Sequence, residues 1–352
     1  MKRVLLIIAD GNPGGGTTHV LEILRGLSSQ YEFGLVTQSN SYLFHEANQI
    51  DIARYSTNFF TSRLDLRIVR KLKNFHDDFL PDLVHVHGAR AGWLFSLAHR
   101  QSHIIYTVHG YHFVHKPFIQ YCASILIERF ISKQVKEEIF VSRFDAEIAR
   151  KHSLLAETTS WSVIHNGIAL VEEIETKAHT KHVGFVGRLV PQKDPLVFLD
   201  AASRLRDFQI TMIGGGELER AVNEKILGYN LTNVHMLGTI SRNQVLEELP
   251  KFSVLIMTSR WEGLPLVPME AMWRQVPVVA INVGGIGEII ENEESGLLVN
   301  NRSADELARA VRRLEQEPGL REQIVQQGRV RVKELFSITQ MLGKIQGIYE
   351  RA

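Results

Sequence analysis

The chain has 352 residues, 44% hydrophobic and 22% charged, with a formal net charge of +1 and a single cysteine, Cys122. That length accommodates two domains of ordinary size. A near-zero net charge supplies no overall field for nucleic acid, which is therefore not an expected partner, and one thiol cannot build an internal disulfide framework.

Residues 1–10, MKRVLLIIAD, combine a short basic start with an apolar run of about six residues, too short and without a cleavage signal for a secretory leader. The run reads as a first strand. No stretch reaches the roughly 18 apolar residues of a membrane span. The expectation is a cytoplasmic protein, soluble or peripheral on the inner face of the membrane.

Further strands are expected at 33–37, 83–87, 104–108, 138–141 and 162–164, after the first at 4–8. Most are continuous Val/Ile/Leu runs, as in strands covered on both faces. Helical patterns lie between them at 17–29, 64–79, 91–100, 118–136 and 144–151. The polar stretch EEIETKAHTKH, 172–182, reads as a linker. The alternation then restarts, with strands at 182–186, 209–213, 234–237, 254–257, 278–281 and 297–299. Helices are expected at 195–206, 218–227, 268–274, 304–317, 320–334 and 338–351. Alternating β and α segments predict an α/β protein of two doubly wound, Rossmann-like domains facing a cleft. Ligands of such sheets bind beyond the carboxyl ends of the strands, where the unusual residues of this sequence fall.

After the first strand comes GNPGGGTTHV. Gly14, Gly15 and Gly16 precede Thr17 and Thr18, either of which suits a helix cap. A dinucleotide fingerprint would need a third glycine where His19 stands, and the second strand ends in Thr-Gln-Ser with no acidic residue for a ribose. The helix at 64–79 carries Arg63, Arg67, Arg70, Lys71 and Lys73 on or beside it. Such a run is usually a solvated face; its other reading is contact with an anionic membrane surface or a lipid-phosphate acceptor.

Seven of the 15 histidines lie between His85 and His115. His109, His112 and His115 have a spacing that would allow metal ligation, but no Asp-x-Asp pair occurs to hold a metal-bound diphosphate, so no metal or other cofactor is expected. His109, at a strand end, is better placed as a hydrogen-bond donor to a transferring group.

In the second half, FVGRLVPQKDP sets Arg188 and Lys193 just after a strand end, where fixed cations can stabilise a departing diphosphate. Gly214–Gly216 follow another strand and read as a tight turn beneath a nucleotide. The segment EGLPLVPMEA follows the strand at 254–257. Pro268 suits a first helical turn, so a helix is expected to begin near it, with Glu270 in that turn. A helix N-terminus offers free N–H groups to phosphate, and Gly263 allows close backbone approach. Glu262 and Glu270 make sense as acceptors for sugar hydroxyls at the two ends of a nucleotide-sugar.

Together, GGGTTHV, VHVHG, TVHG, VSR, VIHNGI, VGRLVPQKD, GGGELE, LGTI, EGLPLVPMEAM and VGGIGEII resemble family 4 of the retaining glycosyltransferases, which have the two-domain GT-B fold. They run in family order over most of the chain. The resemblance implies an acceptor-binding domain of 1–170 plus a C-terminal helix, 336–352, and a nucleotide-sugar-binding domain of 171–335. It implies that Arg188 and Lys193 bind the diphosphate, Glu262 meets the sugar and Glu270 the ribose. Backbone N–H groups over Gly263, Leu264 and Pro265 would meet sugar and phosphate, Gly15 and Gly16 would close over the phosphate, and His109 would lie beside the transferred sugar. His109 and Glu262 are the catalytic candidates.

The family transfers sugar with retention and without a metal, by front-face attack in which the leaving phosphate takes the acceptor proton. One departure is Ala169, where the family often has a polar residue. TVHGYHF is similar to a branch that builds surface polysaccharide on polyprenyl-diphosphate-linked sugars. The implied partners are a nucleotide-sugar, with uridine the expected base, and a glycan or lipid-linked glycan. The rival activities are a UDP-sugar 2-epimerase and a non-catalytic partner subunit.

Overall fold

The computed structural model describes residues 1–60, 65–99, 103–171 and 181–352, without the side chains of Leu66, His112 and His115. Arg63, Arg100 and residues 172–180 of the expected linker lie outside the described residues. The chain divides into two compact units, Met1–Gly167 with Ile338–Ala352, and Ile168–Ser337.

Unit 1 contains β1 (Lys2–Ile8), α1 (Gly15–Leu27), β2 (Tyr31–Thr37), α2 (Tyr42–Glu46), β3 (Ala53–Ser56), α3 (Leu66–Phe79), β4 (Leu83–His87), α4 (Ala89–Ala98), β5 (Ile104–Val108), α5 (Phe118–Ser132), β6 (Glu137–Phe140), α6 (Arg143–Lys151) and β7 (Ser160–Val163). Its sheet is parallel, in the order β3-β2-β1-β4-β5-β6-β7.

Unit 2 contains β8 (His182–Val186), α7 (Pro195–Ala202), β9 (Gln209–Ile213), α8 (Glu219–Gly228), β10 (Val234–Gly238), α9 (Arg242–Glu248), β11 (Val254–Met257), α10 (Leu266–Trp273), β12 (Val278–Ile281), α11 (Ile286–Ile289), β13 (Leu297–Val299), α12 (Ala304–Gln316) and α13 (Pro318–Leu335). Its sheet is also parallel, in the order β10-β9-β8-β11-β12-β13. The last helix, α14 (Ile338–Arg351), returns to unit 1.

The apolar strands are continuous because each serves two cores. In β1, Leu5 and Ile7 pack with Ile68 and Leu72 of α3 and with Leu94 and Phe95 of α4. Val4, Leu6 and Ile8 point the other way, onto Val20 and Leu24 of α1 and Met341, Ile345 and Tyr349 of α14. Period-two side chains on a sheet covered by helices on both faces require an apolar residue at every position. The expected pair of doubly wound sheets is present.

Four elements escaped the sequence pattern: β3, α2, α9 and α11. They are short, and β3 is an edge strand in which no residue is fully buried, so neither hydrophobic period had room to show. Two local expectations are corrected. α1 begins at Gly15, with Gly14 as its uncapped N-cap residue; Thr17 is inside the helix, and its hydroxyl donates back to Asn12 O at 2.7 Å. α10 begins at Leu266 after Pro265, two residues before Pro268. Glu270 is therefore its fifth residue, in the second turn.

Candidate functional site

In each sheet the order reverses beside its first strand, between β1 and β4 and between β8 and β11. Connections on either side of that point run to opposite faces, which opens a crevice at the carboxyl edge of the strands. The candidate residues gather at these two points, and their chemistry differs.

In unit 2, the loop after β8 carries Arg188 and Lys193. The turn Gly214–Gly216 after β9 braces it. Leu189 N donates to Gly215 O at 2.9 Å, and Leu218 N donates to Leu189 O at 2.9 Å. Gly214 and Gly216 sit at φ 134° and 156°, and a Cβ on either would lie 2.0 Å from Gly187 O or 2.5 Å from Leu189 O. Only glycine permits that contact.

The far end of the loop is sewn to the segment after β11. Arg260 N donates to Gln192 O at 2.7 Å. Thr258 Oγ1 donates to Lys193 O and to Asp194 O, each at 2.9 Å. Asp194 is buried in a left-handed backbone conformation. Its carboxylate accepts from Arg260 Nε at 2.9 Å and from the Arg302 guanidinium.

This frame brings Lys193 and Glu262 together, 69 residues apart in sequence. Lys193 Nζ pairs with Glu262 Oε1, and Ser259 Oγ donates to the same oxygen at 2.6 Å. The Glu262 side chain is 6% exposed, and its Oε2 has no partner among the described residues. A part-buried ammonium–carboxylate pair with an open oxygen can accept from a substrate hydroxyl through Glu262. It can also offer Lys193 to an anion without leaving the carboxylate unpaired, because Ser259 remains.

The backbone of Glu262 is fixed from behind. A Cβ on Gly284 (φ 56°) would lie 1.9 Å from Glu262 O, and Gly285 N donates to Gly263 O at 3.0 Å. Gly263 and Leu264 are buried, and Pro265 caps α10 with no side-chain bond. The first N–H groups of the helix thus have no side-chain cap. Arg188 is exposed on the same loop as Lys193 and makes no ion pair among the described residues. Glu270 is buried and forms a separate pair, Oε1 to Arg242 Nη2 at 2.6 Å.

In unit 1, α1 starts beside β4 and β5. A Cβ on Gly16 would sit 3.4 Å from the His109 ring, while one on Gly15 would meet nothing within 4 Å. His109 follows β5 and is half-buried; its Nε2 lies 3.2 Å from His87 Nδ1. His87 closes β4, and the His19 ring stands edge-on to both, with centroids 5.6 Å from His87 and 5.1 Å from His109. His19 Nδ1 lies 2.9 Å from Asn166 Oδ1. His85 is a core residue, bonded to Tyr349 OH and Thr107 Oγ1 at 2.7 Å each.

Burial pulls His19 down to about 4, partly offset by Asn166, and pulls His85 and His87 well below the ordinary imidazole value, helped by the neighbouring rings. These rings are neutral at physiological pH. Among the described residues, the group spaced to hold a metal is His76, Asp77 and His99, where α3 and α4 end, away from His87 and His109.

Sequence reasoning missed Ser259, Asp194, Arg260, Arg302, His19 and Asn166. His19 gave a signal, as the residue standing where a dinucleotide site needs glycine. Asp194 follows Lys193 directly, but nothing in the sequence pairs it with residues 66 and 108 positions away.

The family described as glycosyl transferases group 1 matches residues 151–331, and that described as Glycosyltransferase Family 4 matches residues 13–172. An uncharacterized glycosyltransferase of Methanocaldococcus jannaschii is 32% identical over 189 residues, 53% of each chain. The chain thus spans about half the length of that relative. The UDP-Gal:alpha-D-GlcNAc-diphosphoundecaprenol alpha-1,3-galactosyltransferase of Escherichia coli is 27% identical over 297 residues, 76% of this chain and 75% of that one. Among solved structures, Anabaena HepE in complex with UDP and glucose superposes with a TM-score of 0.85 at 17% identity over all of both chains. At that identity the likeness shows the fold, GT-B.

Proposed function

The chain belongs to the glycosyl transferases group 1 family and is a glycosyltransferase; on that premise we propose that it moves a hexosyl or N-acetylhexosaminyl group from a UDP-sugar to a polyprenyl-diphosphate-linked glycan in polysaccharide assembly. The transfer retains anomeric configuration, needs no metal and takes place at the inner face of a membrane. The observation that carries this reading is the pairing of Lys193 with Glu262 and Ser259 at the crevice of unit 2. The E. coli relative, whose name specifies a UDP-sugar and a diphosphoundecaprenol acceptor, supports the choice of donor and acceptor.

In this reading unit 2 binds the nucleotide-sugar and unit 1, with α14, binds the acceptor. Arg188 and Lys193 hold the diphosphate, and the backbone over Gly263, Leu264 and Pro265 meets sugar and phosphate. Glu262 takes a sugar hydroxyl through Oε2. Glu270 takes the ribose, with Arg242 setting its rotamer. Gly15 and Gly16 approach the donor phosphate, and His109, backed by His87, donates to the transferred sugar.

Chemically, the bond from the anomeric carbon to the β-phosphate oxygen breaks as the acceptor oxygen bonds to the same face of that carbon. The acceptor proton passes to the leaving phosphate oxygen. Negative charge grows on the diphosphate as the bond lengthens, so cations fixed beforehand stabilise the transition state more than the ground state. Lys193 and Arg188 supply them, and a metal is not required for that task.

The test is UDP release from a panel of UDP-sugars, with and without a synthetic polyprenyl-diphosphate-linked acceptor, in excess chelator. Acceptor-dependent release with retention in the product is expected. Absence of such release across the panel would sink the reading, and acceptor-independent conversion of the UDP-sugar would mark an epimerase instead. Activity that vanishes with chelator and returns with a divalent ion would overturn the metal-free mechanism.

A further inference from the structure

One face of unit 1 is both apolar and basic, and it belongs to the same edge as His109. α5 carries Phe118, Ile119 and Leu126 exposed to 79%, 82% and 66%. At about 100° per residue these three fall within one stripe, which also takes in Cys122 and Ala123. The only carboxylate of α5, Glu128, is turned away into the core, where it accepts from Tyr106 OH at 3.0 Å. The helix therefore shows water an apolar stripe free of negative charge, entered past the exposed Lys116.

α4 packs between α5 and α3. On α3, Arg67, Arg70, Lys71 and Lys73 are all exposed, and the exposed acids of that helix, Asp77 and Asp78, lie at its far end. In a parallel α/β layer each helix begins at the carboxyl edge of the strands. The cations of α3 and the aromatic start of α5 therefore share the edge that bears His87 and His109. An exposed apolar cluster of this size invites a covering partner, and its basic surround selects an anionic one.

We propose that this face docks on an anionic lipid leaflet. Phe118, Ile119 and Leu126 enter the boundary between headgroups and acyl chains, and the cations of α3 with Lys116 lie against the headgroups. Docking of this kind combines apolar burial with electrostatic attraction, neither sufficient alone. It brings the His109 edge to the depth at which a membrane-anchored diphosphate sits. The inference rests on the lipid-linked acceptor proposed above and supplies the surface that reaches it.

The experiment is co-sedimentation of the whole chain with phosphatidylglycerol-containing vesicles and with purely zwitterionic vesicles. Binding is expected to anionic vesicles, weakening as salt rises. Phe118→Gln with Ile119→Gln should cut partitioning roughly tenfold or more, and Arg70→Glu with Lys71→Glu should remove the preference for anionic lipid. Both variants change exposed residues, and their thermal melts report whether they fold.

Each variant should keep its UDP release on a short-chain, detergent-free acceptor and lose it on a long-chain acceptor in vesicles. Vesicle binding without activity on any lipid-linked acceptor would leave the docking face standing and remove the acceptor reading. Equal binding to both vesicle types, or unchanged binding of the apolar double variant, would overturn the docking face. So would a solution dimer that the same variant dissociates, which would make a second copy the covering partner.

Discussion

The two crevices share a topology and differ in how they treat charge. Unit 2 stocks its crevice with ions: Lys193 against Glu262, Asp194 between Arg260 and Arg302, Glu270 with Arg242. Unit 1 stocks the equivalent point with imidazole rings, His19, His87 and His109, stacked and edge-on, and burial keeps His19 and His87 neutral. The difference teaches that a doubly wound sheet fixes where a ligand goes and leaves open what is bound there. Paired charges suit an anion whose charge rises during reaction, while neutral, desolvated imidazoles suit the orientation of hydroxyls. The backbone differs as well. In unit 2 the crevice loops are pinned by glycine turns and side-chain bonds to main chain, while in unit 1 Gly15 is exposed and a Cβ there would meet nothing.

The sharpest way to break the ionic side is Lys193→Ala. It removes the cation and leaves Glu262 with Ser259 alone. We expect turnover to fall roughly 10²–10³-fold, as for loss of one transition-state donor, with weaker binding of bare UDP by calorimetry. Turnover within threefold of wild type would show that Arg188 alone carries the diphosphate charge.

Gly284→Ala tests the frame behind that pair. The new Cβ meets Glu262 O, and the backbone leaves a left-handed conformation that costs a non-glycine residue about 1–2 kcal/mol. The expected outcome is a loss of roughly 2 kcal/mol or more in unfolding free energy, with weakened UDP binding. An unchanged melt would mean that the segment yields.

On the histidine side, His109→Ala should lower turnover by up to roughly tenfold, the net worth of one hydrogen bond at about 0.5–1.5 kcal/mol, and leave UDP affinity within about twofold. If UDP affinity falls as far as turnover, His109 belongs with the diphosphate contacts and the contrast between the crevices is weaker than drawn.

The remaining test is the pH dependence that the buried groups of unit 1 contribute. Burial holds His19 at about 4 and His85 and His87 well below their ordinary values. Below about pH 6.5 the unfolded chain takes up protons that these rings refuse, so stability falls on acidification. Burial also raises Glu128 to about 8 and Glu138 to about 7. Above about pH 4.5 the unfolded carboxylates release protons that the folded ones keep, so their contribution falls as pH rises, by about 1.4 kcal/mol per pH unit per group.

Among these five groups, three rings against two carboxyls, acidification dominates below about pH 6.5 and the carboxyl loss remains above it. Their joint contribution to stability should therefore peak near pH 6.5. Glu128→Gln should flatten the alkaline limb of a melting series between pH 6.5 and 8 and steepen the acid limb between about pH 4.5 and 6.5, where Glu128 opposes the histidines. An alkaline limb as steep as wild type would show that Glu128 is already ionised in the folded chain.

Much of this was legible without coordinates, for identifiable reasons. The strands at 83–87, 104–108, 209–213, 254–257, 278–281 and 297–299 were bounded by apolar runs that a two-faced sheet demands, and the structure has the same limits. Arg188, Lys193 and Glu262 stood out because each follows a strand end. The start of α10 was misjudged because Pro268 fits any position in a first turn, and Pro265, which sets the boundary, is also a proline. The histidines were counted but not sorted. His85 and His87 look alike in VHVH and share one face of β4, with ring centroids 4.1 Å apart, yet His85, inside the strand, bonds Tyr349 and Thr107 while His87, at its end, meets His109.

The sequence by itself determined the two doubly wound sheets, the family and the positions at which cations and carboxylates leave the strands. Periodicity and turn residues are local properties that a chain displays in order. Only the tertiary structure decided which of those charges meet. Lys193 with Glu262, and Asp194 with Arg260 and Arg302, are 66 to 108 residues apart, and contacts of that range depend on which strands lie side by side. It also decided that the apolar stripe of α5 stays uncovered while Glu128 on the same helix is buried, because burial is set by what packs against a face and not by the face alone.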